Sequence, residues 1–235
     1  GPLQITGISI GANTSDTGYL FALVPQARIG LAKELTGSAT PNPDGSFNAS
    51  YQFLVENLSL ESLNNIEISD TLAGGAPSFG SFVSLVNPAS DPLAVGSYTV
   101  LTAPSGTCAG LQAGFDGAAN PGLASGFTLA AGATCTIGIS VRIRPAVPLP
   151  PLLPSGGRYE NQAGVTGEGV LSGQTSASNP MLADLSDNGT DTDTNGNGNP
   201  GDPGESDPTP VNPVFAPSIA LVKTATTAFS MPPAV

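Results

Sequence analysis

The chain predicts an all-β fold, an antiparallel β-sandwich, on three observations. Phe47, Ala49, Tyr51, Phe53 and Val55 point one way and Asn48, Ser50, Gln52 and Glu56 the other, and Cys135, Ile137, Ile139, Val141 and Ile143 alternate with Thr136, Gly138, Ser140, Arg142 and Arg144. That is the period-two mark of strands with one buried face. Gly (30) and Pro (23) are abundant; they supply turns and oppose long helices. No stretch carries helical spacing, and 235 residues suffice for one large or two small β-domains.

The elements follow in order. Residues 4–10 and 18–24 read as strands around a polar turn, and Pro25 ends the second. In RIGLAKEL (28–35), Ile29, Leu31, Lys33 and Leu35 share one face. After the turn at 41–45 comes the strand at 47–55. Residues 63–72 form another, with Ile66, Ile68, Asp70 and Leu72 on one face. Residues 79–86 and 97–102 predict shorter strands, and the Gly/Ala/Pro-rich 103–126 predicts a loop. Phe127–Ala130 leads to a turn and then to the strand from Cys135. PAVPLPPLLP (145–154) predicts a polyproline-like crossing rather than a central strand. Residues 159–170 resume the alternation, with Asn161, Ala163 and Val165 on one face.

Residues 184–210 hold seven acidic residues and no Lys or Arg, without an apolar period. They predict an insertion outside the sheets. At 217–226, PSIALVKTAT matches ARIGLAKELT at 27–36, with Ile219, Leu221 and Lys223 standing for Ile29, Leu31 and Lys33. Chance similarity between two amphipathic strands is one explanation and a tandem array the other. The array reading divides the chain into a tail or the end of a preceding module (1–27), a β-sandwich repeat (28–183), an acidic junction (184–216) and the first strand of a next repeat (217–235). Gly1-Pro2 reads as the scar of a cleaved purification tag.

Composition excludes several function classes. Six basic against 18 acidic residues give a net charge of −12, which repels nucleic acid and anionic lipid and attracts divalent cations. With no His, Ser/His/Asp and Cys/His catalysis and His-ligated zinc are excluded. No Asp or Glu outside the acidic stretch stands in a catalytic context, so the chain does not read as an enzyme. No apolar run is long enough to span a membrane, so no membrane insertion of this segment is expected. Cys108 and Cys135 are either one disulfide, as in an oxidising extracellular setting, or two buried thiols.

Two constellations carry chemistry. From Asp191, the residues Asp191, Asp193, Asn195, Asn197, Asn199 and Asp202 fall at positions one, three, five, seven, nine and twelve, with Gly196 at six. This is the ligand spacing of an EF-hand loop, with Asp for the terminal Glu. Oxygen-only ligands point to calcium, and a second ion could draw on Asp184, Asp187 or Asp207. Pro200, Pro203 and Pro208 forbid flanking helices, so the expectation is a calcium loop on a β-domain rather than a sensor. The competing reading is a solvated acidic linker. The second constellation is Lys33, Asp70 and Asn161, three polar residues on apolar faces. A neutral buried Lys beside a protonated carboxyl can attack an Asn amide, expel ammonia and form an isopeptide bond. Alternatively Lys33 snorkels to the sheet edge, Asp70 caps a turn and Asn161 bonds backbone.

SYQFLVEN (50–57), LNNIEISDTL (63–72), NQAGVTG (161–167), DNGTD (187–191) and DPTPV (207–211) occur in this order. In them the chain resembles the DUF11-type conserved repeat domain of bacterial surface proteins, over about residues 28–216. The resemblance implies an immunoglobulin-like sandwich, tandem repetition and a structural or adhesive role. Cys108, Cys135 and the long Gly/Ala/Pro region depart from the family pattern. The expectation is a structural repeat of an extracellular or cell-surface adhesin or fibre, stiffened by calcium and able to polymerise by strand exchange. Its partners would be neighbouring repeats, identical subunits, or a surface receptor or glycan. The alternative is a carbohydrate- or protein-binding sandwich, against which stands the absence of Trp.

Overall fold

A computed structural model describes residues 26–73, 84–85, 92–145 and 151–213. The strands read at 4–10 and 18–24 and the repeat-like segment at 217–226 lie outside the described residues. Thirteen strands and one short 3-10 turn (Pro180–Leu182) make up the regular structure described. In chain order the strands are β1 (Ile29–Leu35), β2 (Thr40–Pro41), β3 (Phe47–Asn57), β4 (Leu63–Asp70), β5 (Ser84–Leu85), β6 (Ser97–Gly106) and β7 (Gly122–Leu129). There follow β8 (Thr134–Arg144), β9 (Tyr159–Asn161), β10 (Ala163–Gly169), β11 (Ala183–Leu185), β12 (Asp187–Asn188) and β13 (Thr209–Val211).

The larger sheet runs β12-β1-β3-β8-β6-β5, with β2 also on β3; the second runs β11-β10-β4-β7; β13 and β9 form a separate pair. The two larger sheets pack in a sandwich-like arrangement. Leu31, Phe53, Val55 and Ile137 of one and Ile66, Ile68, Leu123 and Val165 of the other belong to one buried cluster. Removing such side chains from water is the main drive for this architecture. The expected alternation is clearest in β3 and β8, paired residue for residue from Phe47–Ile143 to Glu56–Thr134.

Four expectations are corrected. Pairing is not wholly antiparallel: β1–β12 and β5–β6 run parallel. The 103–126 region is not all loop, since β6 continues to Gly106 and β7 starts at Gly122. Small residues and a register shift opposite Gly126, at φ +69°, erase the alternation there. The run 159–170 is two strands: β9 pairs with β13 and β10 with β4, and the side chain of the intervening Gln162 bonds the carbonyls of Ser186 and Ser206. The acidic stretch is not outside the sheets either, because its ends supply β11, β12 and β13. A boundary at 183/184 cuts through β11.

Candidate functional site

Lys33 lies on β1, which is flanked by β3 and β12 and so has no open edge there. Period two turns Ile29, Leu31 and Lys33 inward together. The ammonium does not snorkel to the sheet edge: Lys33 is 0 % exposed. Its Nζ stands 4.3 Å from the centre of the Tyr51 ring and 5.0 Å from that of Phe53, which is paired with Lys33 across β1–β3. Nζ donates to Asp70 Oδ2 at 2.7 Å. Asp70 closes β4, and its pairing with Ala163 on β10 brings the end of β9 alongside. There Asn161 Nδ2 donates to Asp70 Oδ1 at 2.9 Å and to the Thr71 carbonyl at 3.3 Å. Asp70 is 1 % and Asn161 0 % exposed, and Asn161 Oδ1 has no hydrogen-bond partner among the described residues. The three residues singled out in the sequence thus meet in one buried cluster, with one carboxylate between an amine and an amide.

A buried ion pair is costly to assemble. Burial pushes the Lys33 pKa below its ordinary value, and the Asp70 charge and hydrogen bond oppose that only in part. Burial also pushes the Tyr51 hydroxyl well up, so the ring beside Nζ stays neutral. The site favours an amine nearer to neutrality than any surface lysine.

The acidic arm covers this cluster. Asp184 Oδ2 accepts the Leu31 backbone N–H at 2.8 Å. Asp187 and Asn188 pair with Ala32 and Lys33. The Lys33 carbonyl accepts from Gly189 N at 3.0 Å and Thr209 Oγ1 at 2.8 Å, and Thr209 pairs with Asn161. Further out, Thr192 Oγ1 donates to Glu56 Oε2 at 2.7 Å and Arg28 Nη1 to the Gly198 carbonyl at 2.6 Å. The two ends of the arm therefore pin the backbones of both Lys33 and Asn161.

The proposed calcium register folds as a string of side-chain-to-backbone turns. Asp191 accepts from Asp193 N, Asn195 from Asn197 N, and Asn197 from Asn199 N. Asp193 Oδ2 accepts from Gly198 N. Asp202 accepts from the Asn197 and Asn199 side chains. The residue that reaches into this loop from its far side is Glu205, whose Oε1 accepts from Asn195 N at 2.8 Å and Thr194 Oγ1 at 3.0 Å. Glu205 was missed because it lies three residues past the register. Its signal was that it is the only Glu between 184 and 210. Asp184, Asp187 and Glu205 are buried, and Asp184 Oδ1, Asp193 Oδ1 and Glu205 Oε2 have no hydrogen-bond partner among the described residues. The Asp184 carboxyl is pushed up to about 7 by burial first and by repulsion from Asp187 and Glu205, against bonds from the Leu31 and Leu185 backbone. Burial and the charges of Asp207 and Glu205 raise Asp187 as well. Among the described residues no three Asp, Glu or Cys side chains converge as a ready metal cage.

Cys108 and Cys135 form the disulfide, with Cα atoms 4.9 Å apart and both residues buried. Among the described residues no helix is long and apolar enough to cross a membrane. A groove of about 670 Å³ is lined by Ile68, Pro121, Ala124, Val165, Asp184 and Leu185 among others, without an aromatic ring. No protein-family model matches the chain, and neither a curated protein nor a solved structure shows significant similarity to it.

Proposed function

We propose that the chain is a structural repeat module of a secreted or cell-surface bacterial adhesin or extracellular fibre, of the DUF11 kind, whose acidic arm is set by calcium. The observation that carries this reading is the arm itself. It folds back onto β1 and β9 while holding buried carboxylate oxygens on Asp184 and Glu205 that no described residue satisfies. A buried unpaired carboxylate is costly unless protonated or matched by a cation. Calcium accepts roughly six to eight oxygens, including carbonyls, amide side chains and water. It therefore does not need three carboxylates already drawn together, and the Asn-rich loop supplies neutral oxygens beside Asp193 and Glu205. Oxygen-only ligands on a Pro-rich loop suit constitutive stiffening rather than signalling.

The match of 219–223 to 29–33 supports the second half of the reading. A strand of the same pattern in a neighbouring repeat or subunit can extend the array, or exchange with β1 of another copy. No aromatic platform in the described groove favours a glycan. The test is calcium titration followed by thermal unfolding and metal analysis. Bound calcium with a raised unfolding midpoint, lost in Glu205→Gln, is expected. A chain that binds no metal and gains no stability would contradict the calcium reading.

A further inference from the structure

The geometry points to a covalent bond between Lys33 Nζ and Asn161 Cγ, formed by the chain itself with Asp70 as the catalytic residue. The contacts within the triad involve no residue of the calcium loop. A single carboxylate contacts both the nucleophile and the leaving group: Oδ2 accepts from Lys33 Nζ at 2.7 Å and Oδ1 from Asn161 Nδ2 at 2.9 Å. All three residues are shut off from water, so hydrolysis does not compete. The backbone carbonyl of Lys33 is held by Gly189 and Thr209, and Thr209 pairs with Asn161. Both reactants are therefore fixed before reaction, which is where most of the advantage of an intramolecular step comes from.

The step balances without any added reagent. The Lys33 ammonium passes one proton to Asp70 Oδ2, leaving a neutral amine. Its lone pair attacks Asn161 Cγ and the Nζ–Cγ bond forms. Asp70 delivers the proton to Nδ2 and takes up the next from Nζ, the Cγ–Nδ2 bond breaks, and ammonia departs. It leaves as ammonium, carrying the two protons lost from Nζ, and Asp70 ends as it began. Nothing is oxidised or reduced. The reaction replaces a buried ammonium, which burial disfavours, by a neutral amide whose N–H can still donate to Asp70. The bond closes the chain between 33 and 161 into a ring and ties β1 of the larger sheet to β9, so load applied to β1 bypasses the intervening strands.

The competing structure is a plain buried ion pair with an asparagine beside it. Peptide mapping of the folded, disulfide-bonded protein separates the two. The expected result is a protein one ammonia lighter than its sequence, after the two disulfide hydrogens are counted, and a branched peptide joining Lys33 to Asn161 that trypsin does not cut after Lys33. Asn-Gly pairs at 188, 195 and 197 can also shed ammonia as succinimides, so the mass is read after mild base, which opens succinimides and spares an amide. Full mass after that treatment, or ammonia loss without the branched peptide, overturns the proposal. Loss of water with Lys33 joined to Asp70 overturns the choice of Asn161. Lys33→Met and Asn161→Ala are expected at full mass. Asp70→Asn, shown folded by circular dichroism, is expected to keep Lys33 and Asn161 unjoined; joining at the wild-type rate would remove Asp70 from the chemistry. If that variant does not fold, the map of the wild-type chain still decides for or against the bond.

Discussion

Gly30→Ala tests whether the acidic arm is seated on β1 as described. A Cβ on Gly30 would lie 2.8 Å from Thr192 Cβ, 3.0 Å from its Oγ1 and 3.2 Å from its carbonyl oxygen. Thr192 cannot turn aside cheaply: it is 1 % exposed and its hydroxyl is bonded to Glu56. Gly30 itself is held in the ladder opposite Glu56. One methyl therefore has to lift the arm, and overpacking of this kind costs about 1–3 kcal/mol. Urea unfolding measures it. Gly30→Ala should lose that amount with little change in slope, and weaken calcium binding, since Asp193, Asn195 and Glu205 move with Thr192. Gly114→Ala is the control: a Cβ there meets nothing within 4 Å, so stability should hold or rise slightly. If Gly30→Ala were as stable as the control and bound calcium normally, the arm would not rest on β1 and the reasoning would fail.

Three further outcomes follow from the same packing. Replacing Cys108 and Cys135 by Ala removes a link across 27 residues of sequence. The chain-entropy model gives a loss of about 3.5 kcal/mol, read from denaturant midpoints. Asn57→Ala should cost about 3 kcal/mol or more in the same assay, because its buried amide donates to the carbonyls of Glu61, Leu129 and Ala130 while its oxygen accepts from Ser59 N. For pH, the Asp184 carboxyl titrates at about 7 folded against 3.8 unfolded. A raised carboxyl stabilises the folded state below the unfolded value and loses that contribution as pH rises towards the folded one. Calcium-free protein should therefore lose stability between about pH 4 and pH 7, Asp184→Asn should flatten that slope, and calcium should restore stability at pH 7.

Much of the fold was legible because the core strands obey a simple period. Ile29–Leu35, Phe47–Asn57 and Thr134–Arg144 lie where the alternation put them. β7 was hidden because GLASGFTL mixes small residues with a bulge at Gly126, so burial there follows backbone position rather than hydrophobic pattern. β9 and β10 looked like one strand because Asn161 and Ala163 are both buried, yet a change of sheet at Gln162 leaves that period intact. The triad was visible as polar residues on apolar faces, a local inconsistency of the kind functional sites show. Its meeting point was not, since Asp70 reaches Asn161 only through the β4–β10 register. In the acidic arm, spacing alone favours loop residues that are exposed or half-buried. Asp184 and Asp187 are buried by contacts with β1, and Glu205 reaches back to Thr194 and Asn195 within the arm, and no local pattern encodes either.

The claim that binds these observations together is that Asp70 sits between an amine and an amide in order to join them. The most direct measurement is the mass of the peptide containing Lys33 in a digest of the base-treated, disulfide-bonded protein. The account predicts one branched peptide carrying Lys33 and Asn161, lighter by one ammonia than the sum of its parts. Two separate, unmodified peptides would contradict it.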